Sequence, residues 1–401
     1  MTSPQSPLTI LIAADTYAPQ VNGAAQFGYR LAKGMTARGH DVHVLAPRGD
    51  NGKSYTEFLP EGTVHRLHSH SVPTHVYFRV CLPWEIKKEI SLLFDRVQPD
   101  VVHVQSHYMI GEHVVYEAQK RGVRIVATNH FMPENLNPFL PFPQWLKDII
   151  GRVSWRDMGK VMGRADVVTT PTPLAAKAMR EHAFLGNVLP LSNGIESSDY
   201  SLRPGEAVKA NEFSTVLFAG RLAEEKHVDV LIDAVAKTPV RLNVHLEIIG
   251  GGEVKAALKA QVARLGLDGR VKFFGLASDE ELRKAYIRAD VFCMPGTAEL
   301  QSLVTLEAMS ASTPVVLANA MALPHLVQDG RNGYLFRPMD STDLAEKITA
   351  ILDLSEAGRR AMGQASFAMV GKHSLEGTLD TFEALYRGGS YEDHMVAPKD
   401  H

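Results

Sequence analysis

The stretch LTILIAADTYAPQVNGAAQFGYRLAKGMTARGHDVHVLAP, residues 8–47, decides the fold. LTILIAA (8–14) is an unbroken apolar run, the pattern of a strand buried on both faces. NGAAQFGYRLAKGMTARG (22–39) has helical spacing and stops at Gly39, and DVHVLAP (41–47) is strand-like again. Strand, helix, strand is a βαβ unit, which implies a parallel sheet covered by helices.

The alternation continues outward. DVVHVQ, RIVATNH, DVVTTPT and VLPLSN read as strands, separated by helical stretches such as EIKKEISLLFDRV. A polar break, ESSDYSLRPGEAVKANEFS (196–214), precedes a second series. Its strands are TVLFAG, HLEIIGG, VKFFG, DVFCMPG and PVVLAN; its helices include VDVLIDAVAK, VKAALKAQVARLG, EELRKAYIRA and DLAEKITAIL. The expected architecture is α/β, two Rossmann-like domains with parallel sheets, 1–195 and 196–375. The tail from Tyr391 (YEDHMVAPKDH) is polar, and mobility is expected there.

Composition bounds the function. The chain has 401 residues, 45% hydrophobic and 22% charged, enough for two packed domains. A net charge of -3 with no basic stripe argues against a nucleic-acid partner. Cys81 and Cys293 fall in different halves and outline no disulfide framework, which points to a reducing, cytoplasmic compartment. The N-terminus lacks the basic region of a signal peptide, and no run reaches the roughly 20 apolar residues of a spanning helix. Membrane contact is therefore expected to be peripheral. The G-x-G-x-x-G fingerprint and the P-loop are absent, and Gly250-Gly251-Gly252 reads as a plain turn closing a strand.

Two similar α/β domains usually bind ligand in the cleft between them, outside the carboxyl ends of the strands, so residues just after strands carry the chemistry. Gly220-Arg221 follows TVLFA, and Lys226 lies shortly after. Arg can grip two phosphate oxygens while Lys acts as a point charge, although such a pair in a loop also reads as solvent-facing. Glu299 follows DVFCMP. Ser302 is placed to cap a helix through LVTLEAMSA with Glu307 on its second turn. Carboxylates are strong acceptors for sugar hydroxyls, and a helix N-terminus favours phosphate. The bland alternative makes Glu307 an ordinary surface glutamate. His130 ends RIVATNH, where it can donate to a sugar hydroxyl or simply pack. Asp15 and Thr16 follow the first strand, and Gly23 would let backbone approach a ligand closely. His65, His68, His70 and His75 cluster in sequence, but their spacing matches no standard metal site.

Four motifs together resemble the retaining glycosyltransferases of family 4, which have the GT-B fold of two facing Rossmann-like domains. They are DTYAPQVNGAA (15–25), the histidine of ATNHFMPENL (127–136), AGRLAEEKHVD (219–229), and the E-x7-E of Glu299 and Glu307 followed by Ala308-Met309. Asn193-Gly194-Ile195 matches the interdomain segment, and the resemblance covers nearly the whole chain. It implies that Arg221 and Lys226, next to Gly220, neutralise the donor diphosphate and that Glu307 holds the nucleotide ribose. Glu299 would contact donor sugar hydroxyls, helped by backbone N–H groups near Ser302 and Leu303. His130 would contact the sugar near its 6-position, and Gly23 would let its loop approach the donor. FFGLAS (273–278), with Leu276, would flank the base. The last helix, about 376–390, would cross back onto the first, acceptor-binding domain, leaving 196–375 as the donor-binding domain.

The chain departs from the family twice. Leu300-Gln301-Ser302 stands where Gly-Phe-Gly is usual, so side chains, Gln301 among them, occupy the place of bare backbone at the sugar. Leu375 replaces an aromatic near the closing helix.

All three tryptophans, Trp84, Trp145 and Trp155, precede residue 196. FLPFPQWLKDIIGRVSWRDMGK (139–160) mixes Phe139, Phe142, Trp145, Ile149, Ile150 and Trp155 with Lys147, Arg152, Arg156 and Lys160. Apolar plus basic on an amphipathic helix suits an anionic membrane surface; it also suits a core helix with a solvated basic face. VYFRVCLPWEIKK (76–88) has the same character. The motifs also look like the branch that glycosylates diacylglycerol-type lipids. The expected activity is hexose transfer from a nucleotide diphosphate sugar, GDP-mannose or UDP-glucose in type, to a membrane glycolipid or diacylglycerol-type acceptor at the inner face of the membrane. A soluble or polysaccharide acceptor is the alternative within the family, and an inactive sugar-nucleotide-binding regulator the remote one. No cofactor or metal is expected, since no Asp-x-Asp site appears and Arg221 and Lys226 supply charge. Nothing in the sequence chooses an oligomeric state.

Overall fold

The computed structural model describes residues 6–20, 22–72, 75–133, 142–206 and 212–389, with the side chains of 75–78 excepted. Phe139 and the tail from Tyr391 lie outside the described residues. Two compact units are formed: Met1–Asn193 with Glu376–His401, and Gly194–Leu375.

In the first unit the elements are β1 (Thr9–Ala13), α1 (Gly23–Ala37), β2 (Asp41–Pro47), β3 (Tyr55–Leu59), β4 (Gly62–Leu67), β5 (His70–Val72), β6 (His75–Val80), α2 (Pro83–Val97), β7 (Val101–Val104), α3 (Met109–Arg121), β8 (Arg124–Thr128), α4 (Gln144–Met162), β9 (Val167–Thr170), α5 (Pro173–His182) and β10 (Leu189–Pro190). The second unit holds β11 (Ser214–Ala219), α6 (Val228–Lys237), β12 (Val244–Ile249), α7 (Lys255–Arg264), β13 (Val271–Gly275), α8 (Asp279–Arg288), β14 (Val291–Met294), α9 (Leu303–Ser310), β15 (Val315–Ala318), β16 (Gly333–Phe336), α10 (Ser341–Leu352) and α11 (Glu356–Val370). α12 (Leu375–Tyr386) begins at the end of the second unit and runs into the first.

The first sheet has the order β10-β9-β8-β7-β1-β2-β4-β3, parallel except for β3 against β4. The second, β13-β12-β11-β14-β15-β16, is wholly parallel. Ile10, Leu11 and Ile12 of β1 and Val216, Leu217 and Phe218 of β11 are fully buried, as continuous apolar runs require in a sheet covered on both faces. In each sheet the strand order reverses once, between β1 and β7 and between β11 and β14, and a crevice opens outside the carboxyl ends at such a point.

α12 is fastened to the first unit. A Cβ on Gly34 of α1 would stand 2.4 Å from Leu379 Cδ1, so the glycine lets the Leu379 side chain pack directly on α1. Arg38 pairs with Asp380 at 2.6 Å and with Glu383 at 3.0 Å. Inside, His103 on β7 shares hydrogen bonds with the Tyr386 hydroxyl (2.5 Å) and Thr128 Oγ1 (2.7 Å). Burial holds this imidazole neutral, its pKa lowered to about 3.

β3 to β6, absent from the sequence reading, form two antiparallel pairs between β2 and α2 in the chain, β3–β4 at the edge of the first sheet and β5–β6 as a separate two-stranded sheet. VYFRVCLPWEIKK is consequently not one amphipathic helix. It is the strand β6, the buried Cys81, and the first turns of α2.

Candidate active site

In the second unit, Gly220 ends β11 with φ +149°, a conformation that favours glycine. The next loop, Arg221 to His227, returns across the edge of the sheet. The Gly250–Gly252 run after β12 is not the plain turn expected. A Cβ on Gly250 would sit 1.9 Å from Gly220 O, and one on Gly252 would sit 2.2 Å from Leu222 O. Leu222 N–H donates to Gly251 O at 2.8 Å and Val254 N–H to Leu222 O at 3.2 Å. The glycines let two loop backbones touch, which fixes where Arg221 starts.

Lys226, from the loop after β11, forms an ion pair with Glu299, from the loop after β14. The two sequence-predicted groups therefore meet at the strand-order reversal. Their loops are also joined by Thr297 N–H donating to Glu225 O at 3.1 Å. Arg221 pairs with Glu225 at 2.5 Å and lies 3.7 Å from Glu253. Both cations are thus held against carboxylates from neighbouring loops, and a diphosphate would compete for the same charges.

Glu307 is buried, not a surface residue. Its Oε1 accepts from the Tyr200 hydroxyl at 3.1 Å and its Oε2 from the Tyr286 hydroxyl at 2.9 Å. The two phenols, one on each oxygen, fix the direction in which the carboxylate faces. Gln301, Ser302 and Leu303 are buried beside it in sequence, and Leu276, after β13, is 80% exposed. Ser302 stands at the N-cap of α9, but its side chain makes no capping bond. Its Oγ accepts from Thr305 Oγ1 at 2.8 Å instead, which turns it away from the N-terminal N–H groups.

The first unit places His130 after β8. Its ring packs on Phe27 with centroids 4.7 Å apart, its Nε2 has no hydrogen-bond partner, and burial lowers its pKa to about 3. Reading from sequence missed two neighbours in kind. Gln105 and His107, just after β7, are buried with every side-chain polar atom unpartnered. Burial lowers the His107 pKa to about 4. The signal that singled out His130, a polar residue at a strand end, applies equally to them. A Cβ on Gly28 of α1 would stand 2.6 Å from the Gln105 amide, so the glycine makes room for it. Asp15, after β1, is absorbed internally: it accepts from Ser106 Oγ and from Ile110 N–H at 3.0 Å. Gly23 opens α1 after Asn22, whose side chain caps Ala25 N–H at 2.9 Å. A Cβ at Gly23 would meet nothing, so no packing inside the chain demands glycine there.

α4 divides in two. Trp155, Met158, Val161 and Met162 are buried, and the Trp155 ring packs on His182, so Trp155 belongs to the core and not to a membrane face. Trp145 is 63% exposed; Phe142, Ile149 and Val153 are exposed with it, and so is Arg152, while Lys147 is half-buried. No helix among the described residues is long and apolar enough to cross a membrane.

Two open α/β units, the second with strand-end loops that pair cations with carboxylates, fit a GT-B glycosyltransferase, and the comparisons agree. Residues 21–198 match Glycosyltransferase Family 4, and residues 204–368 match Glycosyl transferases group 1. The chain belongs to the family-4 glycosyltransferases that combine these two modules. It is 28% identical over 314 residues to the sulfoquinovosyl transferase of Arabidopsis thaliana, covering 74% of this chain but only 58% of that protein. It is 26% identical to a GDP-mannose-dependent alpha-mannosyltransferase of Mycobacterium tuberculosis (81% of this chain, 83% of that one). It is 24% identical to the alpha-monoglucosyldiacylglycerol synthase of Acholeplasma laidlawii (82% and 85%). Among solved structures, sucrose-phosphate synthase from Thermosynechococcus elongatus superposes with TM-score 0.75 at 20% identity, covering 94% of this chain and 98% of that one. Anabaena HepE in complex with UDP-glucose gives 0.73 at 19%, covering 94% and 99%.

Proposed function

We propose that the chain is a retaining hexosyltransferase that moves a hexose from a nucleotide diphosphate sugar, GDP-mannose or UDP-glucose in type, to a glycolipid or diacylglycerol-type acceptor. The observation that carries the donor half is the meeting of Lys226 and Glu299 at the strand-order reversal of the second unit, with Arg221 beside Lys226 in the same loop. Arg221 and Lys226 take the diphosphate, exchanging internal carboxylates for phosphate oxygens. Glu307, set by Tyr200 and Tyr286, accepts from the ribose hydroxyls. Glu299 accepts from the sugar, Gln301, Ser302 and Leu303 line its approach, and Gly220 and Leu276 flank diphosphate and base.

The reaction is a front-face substitution. The sugar C1–phosphate oxygen bond breaks as the acceptor oxygen bonds to C1 on the same face, and the departing phosphate oxygen takes the acceptor proton. Charge accumulates on that phosphate, where two cations and the N-terminus of α9 lower the barrier. No metal is assigned to this step. His130, neutral and with Nε2 unpartnered, donates to or accepts from the sugar, and the open space at Gly23 admits the donor.

A lipid acceptor is supported by the exposed Trp145, Ile149 and Val153 with Lys147 and Arg152 on α4, by the exposed Phe142 just before it, and by the activity that names the Acholeplasma relative. The enzyme would then work peripherally, at the anionic inner face of a membrane. The test pairs radiolabelled UDP-glucose and GDP-mannose, separately, with the enzyme and a membrane lipid extract, followed by phase partition. Label in the organic phase is the expected result and fixes the donor. New product confined to the aqueous phase would replace the lipid with a soluble acceptor.

A further inference from the structure

Among the clustered histidines whose side chains are described, His65 parts from His68 and His70. His65 turns into the first sheet, bonded to His43 (3.0 Å) and Thr56 (3.1 Å). His68, between β4 and β5, and His70, on β5, converge with Glu85 in the first turn of α2. His70 Nε2 is 2.9 Å from Glu85 Oε2, and His68 Nε2 is 3.9 Å from Glu85 Oε1. All three ligand atoms lie within 4.8 Å of one another. We propose that His68, His70 and Glu85 form a binding site for a divalent transition-metal ion of zinc type.

Three observations support this beyond proximity. First, His68 Nδ1 bonds to the Gly52 carbonyl oxygen at 2.6 Å, and a carbonyl can only accept. Nδ1 therefore donates, and in the neutral ring Nε2, the nitrogen aimed at Glu85, carries the lone pair. A backbone carbonyl that fixes the far nitrogen is the usual support of a metal-binding histidine. Second, the strand turn holding both histidines is clamped: His68 N–H donates to Ser54 Oγ at 2.9 Å, Ser69 Oγ donates to Arg48 O at 2.7 Å, and Arg79 Nε donates to Ser69 Oγ at 2.8 Å. Third, the spacing is right. Ligands about 2.0–2.1 Å from a tetrahedral ion stand about 3.3 Å apart, within the range these atoms already span.

The ligand set selects the ion. Two imidazoles and one carboxylate disfavour magnesium and calcium, which take oxygen, and favour zinc, cobalt or nickel. His68 and Glu85 border a depression of about 660 Å³ that Asn51, Lys53 and Glu89 also line, leaving room for water as a fourth ligand. None of these residues belongs to the groups proposed to touch substrate. The ion would tie the segment from β4 to β5 to α2, so its role is to brace, and its test does not depend on turnover.

The experiment uses the full, tag-free chain, stripped with a chelator and titrated with Co2+, with d–d absorption and equilibrium dialysis as readouts. One equivalent is expected, with the visible bands of a low-symmetry nitrogen and oxygen site, displaced by Zn2+. Glu85→Gln, which keeps the side-chain size, is expected to weaken binding at least tenfold, and His68→Ala with His70→Ala to abolish it. His65→Ala, at the other histidine pair, is expected to leave binding unchanged. Failure of the wild-type chain to bind one equivalent, or wild-type affinity in Glu85→Gln, would overturn the site. If the double alanine variant does not fold, Glu85→Gln alone decides.

Discussion

At the strand-order reversal of the second unit, charge faces charge: Lys226 against Glu299, Arg221 against Glu225. At the reversal of the first unit, between β1 and β7, the groups are neutral and unpartnered. Gln105 and His107 follow β7, His130 follows the next strand, and burial keeps both imidazoles uncharged. Asp15, the one carboxylate after β1, is consumed by Ser106 and the start of α3. The same topology thus presents two chemistries. One edge holds ion pairs whose charges, in the proposed function, a dianionic group takes over. The other offers directional hydrogen bonds to something without charge, as a sugar or alcohol would be.

The comparison breaks most visibly at the cations. Arg221→Ala or Lys226→Ala is expected to lower kcat roughly 100-fold or more, because each supplies charge to the departing phosphate. Turnover and nucleotide diphosphate release measure this, and near wild-type rates in both variants would remove the charged edge from the mechanism.

The neutral edge is tested by acid. The His107 pKa falls from an ordinary value near 6.5 to about 4 on folding, so the unfolded chain binds the proton more tightly. The sign follows: stability contributed by the neutral ring is complete above about pH 6.5 and lost as pH falls toward 4. Between pH 6.5 and 5 the loss is about 2 kcal/mol for His107 alone. His107→Gln should narrow the fall in denaturant midpoint between pH 7 and 5 by a matching amount. An unchanged pH slope would mean that the ring is not held neutral.

Much of this contrast was legible in the sequence, because both edges are made where apolar strands end. The buried runs at β1, β7, β8, β11 and β14 follow from local pattern; Arg221, Lys226, Glu299 and His130 stand out beyond them by position, and only the family resemblance gives them roles. Three features did not. Trp155 shares α4 with Trp145, but a helix buried over its last turns and exposed over its first has no single face that composition can report. β3 to β6 are short and mix apolar residues with His and Arg at strand positions, so neither period stands out. The pairing of Glu85 with His68 and His70 joins residues across a hairpin, and ligand spacing along the chain does not encode it.

A smaller effect probes how the second unit aims its carboxylate. Tyr200→Phe removes one of two phenols from Glu307 and leaves Tyr286 in place. The cost is expected to be about 1 kcal/mol of stability, with a several-fold rise in donor KM and little change in kcat, since the ribose is bound alike in ground and transition states. A kcat loss as large as that of Lys226→Ala would move Glu307 from holding the donor to the chemistry itself.

The smallest effect on the folded chain falls on α4, where the two halves of one helix make the comparison in miniature. Trp145 is 63% exposed, so Trp145→Ala with Lys147→Ala takes little from the core, and the melting temperature should hold within the range of ordinary surface changes. Trp155, packed on His182, is the internal control: Trp155→Ala should destabilise the chain by about 3 kcal/mol or more. If the exposed stripe lies on an anionic bilayer, the first pair loses sedimentation with phosphatidylglycerol vesicles at unchanged stability, because an apolar ring and a cation both leave the interface. If sedimentation is unchanged, the exposed half of α4 is merely solvated, and the argument for a lipid acceptor rests on the relatives alone.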